Sequence, residues 1–304
     1  MTHIPIIDLT PYFDGSDKAG VAQQIGRACE EIGFFTISGH GISLDQIVAA
    51  NAAAGAFFDR GLSAKHLLKR QDGMGYLGPD GENLAASLDD AQVVDVKESL
   101  NLTLPIVDGM WPVSAELRQE SGAYFTQLIA LARDLMRLFA LALELPEDWF
   151  EDKIDDARTI LRLLNYPAIS AETSPSRAGA HTDYGTLTIL WSPDSRGLQA
   201  QSRSGEWVNV VAPPEHFIIN IGDLMMNWTN DRWISTLHRV VRHPDTAGKR
   251  RQSIAFFHNP NPDALIACID SCQDVDNPPK YPPLLAKEHL EMKIAKSLGQ
   301  TVKL

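Results

Sequence analysis

Apolar residues recur at helical spacing through much of the first 145 positions and in short strand-like runs between about 157 and 260. Residues 4–8 (IPIID) predict a short strand, and Ser16 precedes a helical segment marked by Val21, Ile25, Ala28 and Ile32. Gly33 stops that helix. Phe34-Phe35-Thr36-Ile37 then reads as β and ends at the turn Gly39-His40-Gly41. Ser43 and Gln46 have the spacing of a capping box for a second helix carrying Ile47, Val48, Phe57 and Phe58, and Ser63 is expected to cap a shorter third. From about 70 to 112 the chain is rich in Gly, Asp and Asn, which predicts irregular loops and edge strands; long loops in a compact domain tend to be functional. Ser114 to Leu145 is Leu- and Ala-rich with no internal proline, the pattern of one long helix ending before Pro146.

Near 157 the character changes. TILRLLNYP, GTLTILW, GLQAQ, EWVNVV, FIINIG, ISTLHRVV and QSIAFFH are separated by turn signals without intervening helices, which predicts an antiparallel sandwich or barrel. A final helix is expected over about 284–298, after Pro282-Pro283. The fold class is thus mainly β with flanking α-helices. With no repeat, low-complexity tract or Gly/Ser linker, one domain over 1–304 is expected, in three parts. These are a mostly helical scaffold over about 1–156, a β core over about 157–260 and a C-terminal helical segment over about 261–304.

Charge narrows the partners. Lys and Arg total 27 against 39 Asp and Glu, a net charge of -12 over 304 residues, so nucleic acid and anionic membrane surfaces are repelled on average. A local basic pocket for one small anion is still allowed. No run approaches the ~18 apolar residues of a membrane span, and the N-terminus lacks a signal-peptide pattern, so a cytoplasmic protein is expected. Cys29, Cys268 and Cys272 form neither an even disulfide set nor a paired zinc motif and read as reduced structural thiols.

His181-Thr182-Asp183 places two potential ligands at i and i+2, which on a strand leave the same face. His238, in the run Ser-Thr-Leu-His-Arg-Val-Val, offers a third from a neighbouring strand. Two imidazoles and a carboxylate on one face of an octahedral ion leave positions open, as non-haem Fe(II) oxygenases require. An isolated HxD is weak, because a lone strand histidine is more often a hydrogen-bonded structural residue. Arg251-Gln252-Ser253 changes the balance: Arg251 and Ser253 share a face, and a guanidinium fork with a nearby hydroxyl suits the distal carboxylate of an α-keto acid.

With these motifs in place, the chain resembles the isopenicillin N synthase-like family of Fe(II)/2-oxoglutarate oxygenases. IPIIDL, ACEEIGFFTISGHGI, DVKESLNL, NYP, HTDYGTLTIL, GLQ, NIGDLM and AFFHNP agree with it along essentially the whole chain. The resemblance implies a double-stranded β-helix, or jelly roll, wrapped by N-terminal helices. It implies His181, Asp183 and His238 as iron ligands, Arg251 and Ser253 as the anchor of the 2-oxoglutarate carboxylate, and Tyr166 as a further cosubstrate contact. Leu164 departs from the family, where many plant members have an asparagine. The implied reaction consumes O2 and 2-oxoglutarate, releases succinate and CO2, and hydroxylates, desaturates or cyclises a small organic substrate.

Arg162 shares a strand face with Leu164 and Tyr166, so it is expected to point inward, either to a substrate or cosubstrate carboxylate or to a structural ion pair. Trp228, in MNWTND, is expected at the pocket wall, and His40 is expected to be structural. Substrate determinants are expected in 70–110, around Arg162, around Met226–Asp231 and in the C-terminal helix acting as a lid. Other chemistries fit parts of the pattern: an Fe(II) oxidase of the same fold that does not use 2-oxoglutarate, an ethylene-forming enzyme, a zinc hydrolase, or a non-catalytic jelly-roll binding module.

Overall fold

The computed structural model describes residues 4–68, 73–79, 97–104, 113–168, 176–246 and 248–297. The first half follows the order β1 (Ile6–Asp8), α1 (Thr10–Phe13), α2 (Lys18–Glu31), β2 (Phe34–Ser38), α3 (Leu44–Phe58), α4 (Leu62–His66), β3 (Gly75–Leu77), β4 (Glu98–Leu102), α5 (Ala115–Ala142) and α6 (Glu151–Ile154). The second half runs β5 (Thr159–Tyr166), β6 (Ser176–His181), β7 (Leu187–Trp191), β8 (Leu198–Gln201), β9 (Trp207–Asn209), β10 (Phe217–Ile221), α7 (Asp223–Trp228), β11 (His238–Val241), β12 (Arg251–His258), β13 (Leu265–Ile266), β14 (Leu284–Leu285) and α8 (Ala286–Ser297).

Local side-chain signals start the three longest helices, α2, α3 and α5. Ser43 caps α3 by accepting from the Gln46 amide, and Ser114 caps α5 by accepting from the Leu117 amide. Gly33 ends the α2 turn at φ +65, where a side chain would collide with the Ile234 carbonyl. The side-chain cap of α2 is Asp17, one residue past Ser16. Ser63 is not a cap: it lies inside α4, whose N-cap is Gly61 with no side-chain hydrogen bond. A short helix, α7, also interrupts the expected unbroken series of strands.

The strands form an eight-stranded sheet in the order β1-β2-β10-β7-β12-β5-β4-β3 facing a four-stranded sheet in the order β6-β11-β8-β9. This is the two-sheet jelly-roll arrangement, with helices on the outer face of the larger sheet. Its central strands look continuously apolar because both faces are covered, and each face takes alternate residues. On β5, Leu161 and Leu163 join the helix-side core with Leu128, Leu135 and Phe125 of α5, while Leu164 and Tyr166 belong to a second core between the sheets. β12 divides likewise, with Ile254 and Phe256 on the helix side and Ala255 between the sheets.

Of the edge strands expected over 70–112, β3 is one, at the end of the larger sheet, and β4 is not. It lies between β3 and β5 with all five residues buried. Glu98 accepts from Lys65 Nζ at 2.7 Å, Tyr76 Oη at 2.6 Å and Asn165 Nδ2 at 2.7 Å, so its charge is paired within the scaffold. Most of the remaining 70–112 stretch lies outside the described residues. The three cysteines are free thiols, His40 Nε2 donates to the Glu215 carbonyl at 2.9 Å, and among the described residues no helix is long and apolar enough to cross a membrane.

Candidate metal centre

His181 is the last residue of β6 and stands opposite His238, the first residue of β11, in antiparallel register. Their ring centroids are 4.3 Å apart. Asp183 lies past the strand end, so the shared strand face expected for HxD does not place it. A loop does, held by the Asp223 amide donating to the Asp183 carbonyl at 2.8 Å. Asp183 Oδ1 is 4.0 Å from His181 Nε2 and 3.8 Å from His238 Nε2, and one ligand atom from each residue lies within 4.8 Å of the others.

The hydrogen bonds around these side chains select one presentation. His181 Nδ1 donates to the Gly179 carbonyl at 2.8 Å and His238 Nδ1 to the Thr236 carbonyl at 3.0 Å. A carbonyl oxygen only accepts, so each Nδ1 carries a proton and Nε2 is the ring nitrogen turned toward the shared point. Asp183 Oδ2 accepts from the Thr188 hydroxyl at 2.5 Å and from Asn220 Nδ2 at 2.7 Å, which leaves Oδ1 on the imidazole side. Burial pushes the His181 imidazole down to about 4, and the adjacent His238 adds to that shift against the pull of Asp183. Burial raises the Asp183 carboxyl, but the two imidazoles, Asn220 and Thr188 together bring it below the usual range. Two imidazole Nε2 atoms and a carboxylate oxygen facing one point suit a divalent ion and leave its other positions accessible.

A cavity of about 460 Å³ opens from this point, within the range of small-molecule sites. Tyr166, Leu164 and Arg162 of β5 face it, opposite Arg251, Ser253 and Ala255 of β12. This is the shared face the sequence predicts. Arg251 is 6 % exposed; its Nη1 donates to Ser253 Oγ at 3.4 Å, its guanidinium carbon is 5.1 Å from the Tyr166 ring, and its Nε meets no acceptor among the described residues. Burial lowers its pKa, yet arginine remains a cation, so a buried fork with an unused N–H favours a carboxylate. Arg162 Nε donates to Asn101 Oδ1 at 2.8 Å, and its guanidinium lies over the Phe257 ring at 5.5 Å, which fixes it in the cavity wall.

Trp228 does not line this cavity. It is 1 % exposed and packs against Phe150 at 5.3 Å and Trp149 at 6.4 Å, because α7 turns that face into the helix-side core. The expectation for Met226–Asp231 fails with it. Asn230 and Asp231 take positive φ and tie the chain to the C-terminal segment, with Asp231 accepting from Lys280 Nζ at 3.0 Å and Tyr281 Oη at 2.6 Å. α8 does form cavity wall through Lys287, Leu290, Glu291 and Ile294. Thr188 and Asn220 lie outside the motifs that mark the site in the sequence, yet each is a lone polar residue on the inward phase of an otherwise apolar strand, a signal that period-two counting makes visible.

The chain matches two family models: "non-haem dioxygenase in morphine synthesis N-terminal" over residues 4–115 and "2OG-Fe(II) oxygenase superfamily" over residues 158–260. Both stop short of α8. It is 30% identical to the 2-oxoglutarate-Fe(II) type oxidoreductase hxnY of Emericella nidulans, over 97% of this chain and 90% of the relative. It is 31% identical to a homoarginine-6-hydroxylase of Oryza sativa subsp. japonica, over 96% of each. A full-length Neurospora crassa protein solved with alpha-KG and thymine superposes with a TM-score of 0.86 at 29% identity, covering 96% of each chain. This chain therefore belongs to the 2OG-Fe(II) oxygenase superfamily and is a non-haem Fe(II)- and 2-oxoglutarate-dependent dioxygenase that couples oxidative decarboxylation of 2-oxoglutarate to oxidation of a small organic substrate.

Proposed function

We propose that His181, Asp183 and His238 are the iron ligands, that Arg251 and Ser253 hold the distal carboxylate of 2-oxoglutarate beside Tyr166, and that Arg162 binds a carboxylate of the substrate. The convergence of two Nε2 atoms and Asp183 Oδ1 on one point carries the metal assignment. Iron with 2-oxoglutarate and O2 supplies the oxidising power, releasing succinate and CO2, while the protein fixes the geometry in a cavity shielded from water. Anaerobic Fe(II) titration and succinate assay of His181→Ala and Asp183→Ala test the ligands: both activities are expected to vanish, and wild-type turnover by either variant excludes the assignment.

Register along β5 separates the two arginines. Tyr166 pairs with Arg251, whereas Arg162 pairs with Ala255 four residues away, a separation of ~13 Å along the strand. The side chains also diverge, the Arg162 guanidinium lying over Phe257 and that of Arg251 over Tyr166, which supports Arg162 serving the substrate end. The cationic Arg158 and Lys287 also line the cavity, in a chain that is acidic overall. Screening amino acids and small acids by succinate release, then comparing Arg162→Met, tests this: an unchanged KM for the best carboxylate substrate removes it.

The cavity draws on Phe34, Asn101, β5, β12 and α8, which supports one oxygenase domain built from the helical scaffold, the jelly-roll core and the C-terminal segment. Three free thiols suit a reducing compartment, and the cytoplasm is the location proposed.

A further inference from the structure

α8 lies outside both matched family stretches, yet it walls the cavity and is tied to the metal-bearing loop by a buried ionic cluster. Leu290 and Ile294, one turn apart, face the cavity; His289 and Lys293, also one turn apart, face Asp223. Lys293 Nζ pairs with Asp223 Oδ2 at 2.8 Å and His289 Nε2 stands 3.5 Å from the same oxygen, both off the line of a well-aligned hydrogen bond. Lys293 also sits 5.5 Å over the ring of Tyr184, the residue after Asp183.

Asp223 reaches two further segments. Its amide donates to the Asp183 carbonyl at 2.8 Å, and its Oδ1 accepts from Ser235 Oγ at 2.7 Å, three residues before His238. Ser235 Oγ in turn is 3.5 Å from the Asp183 carbonyl. Asp223, 5 % exposed, thus joins the loop of Asp183 through its amide and, through its carboxylate, the segment leading to His238 and the helix over the cavity.

A buried charge is a poor source of net stability, since removing it from water costs several kcal/mol and an apolar cluster of similar volume often serves as well. What a shared carboxylate adds is registry among the segments it touches. We propose that Asp223 is a positioning residue that couples the seating of α8, the substrate-facing wall, to the arrangement of the Asp183 and His238 segments, with Lys293 as its partner on α8. This rests on the ligand assignment above.

Coupling is reciprocal: if metal binding is sensitive to the seating of α8, metal binding must tighten α8. In the full-length wild-type protein under anaerobic conditions, adding Fe(II) and 2-oxoglutarate is expected to slow deuterium uptake by the 286–297 amides about fivefold or more, the lower end of ordinary coupling. Lys293→Met is expected to speed that uptake in the metal-free protein and to weaken Fe(II) binding about three- to tenfold, at or below the ~10–100-fold cost of removing a partner in direct contact with a ligand. Lys293→Arg, which keeps the charge, is expected to restore both. Wild-type α8 exchange that ignores bound Fe(II) overturns the inference even if the variants do not fold. Faster α8 exchange in Lys293→Met with unchanged Fe(II) affinity overturns it as well. Wild-type protein that binds no Fe(II) instead defeats the ligand assignment, so the two failures are distinguishable.

Discussion

Asn220→Ala isolates what holds the proposed carboxylate ligand in place. Asn220 is 2 % exposed, and its Nδ2 supplies one of the two hydrogen bonds to Asp183 Oδ2, at 2.7 Å, the other coming from Thr188. A hydrogen bond to a charged group contributes about 1.5–3 kcal/mol. Independently, loss of an outer partner of a metal ligand costs about 10–100-fold in affinity, which at 1.4 kcal/mol per tenfold is about 1.4–2.8 kcal/mol. The two ranges coincide, so the Fe(II) Kd of Asn220→Ala is expected to rise about 10–100-fold. The loss should steepen in acid: without the amide, burial raises the Asp183 carboxyl and protons compete better with the metal. Anaerobic Fe(II) titration at two pH values measures both effects, with urea unfolding of the metal-free protein as the check on folding. A folded Asn220→Ala protein with wild-type Fe(II) affinity at both pH values would refute the reasoning.

Arg251→Lys keeps the charge but loses the fork, and the KM for 2-oxoglutarate is expected to rise about tenfold or more; an unchanged KM would place the cosubstrate elsewhere. Trp228→Ala is expected to cost about 3–5 kcal/mol of stability in urea unfolding, with the KM for 2-oxoglutarate unaffected in the folded fraction. A variant of wild-type stability would contradict its place in the core. Burial holds the His258 imidazole at about 4 against its usual 6.5, so on acidification the unfolded chain takes up that proton before the native state does. Stability is therefore expected to fall as pH drops from about 6.5 to about 4, by roughly 3 kcal/mol in total from this group. His258→Gln should flatten the stability profile in that window, and a profile as steep as wild type would show that other groups set it.

Period-two and period-3.6 patterning made the elements legible because burial on a strand or helix repeats with the backbone. α5, seven of the eight strands from β5 to β12 and α8 lie close to the ranges their apolar patterns predict, whereas β6 has no apolar run to mark it. The same periodicity placed Arg162, Leu164 and Tyr166 on one face of their strand and Arg251 and Ser253 on one face of theirs, and the pairing of β5 with β12 sets the two faces side by side. Even Asn220 and Thr188 were within reach of that rule.

Other features depended on contacts between segments remote in sequence. Trp228 and Glu98 carry no local mark that distinguishes a core ring from a pocket ring, or a scaffold ion pair from a substrate contact; Phe150 and Lys65 decide those cases, and only the folded chain brings them near. Asp183 left the strand because the Asp223 amide 40 residues later holds its loop. α8 gained its place over the cavity through Lys293 and His289 meeting that same aspartate. Local periodicity repeats with the backbone and can be counted along one segment, whereas a contact between distant segments is specified only by the packing that joins them.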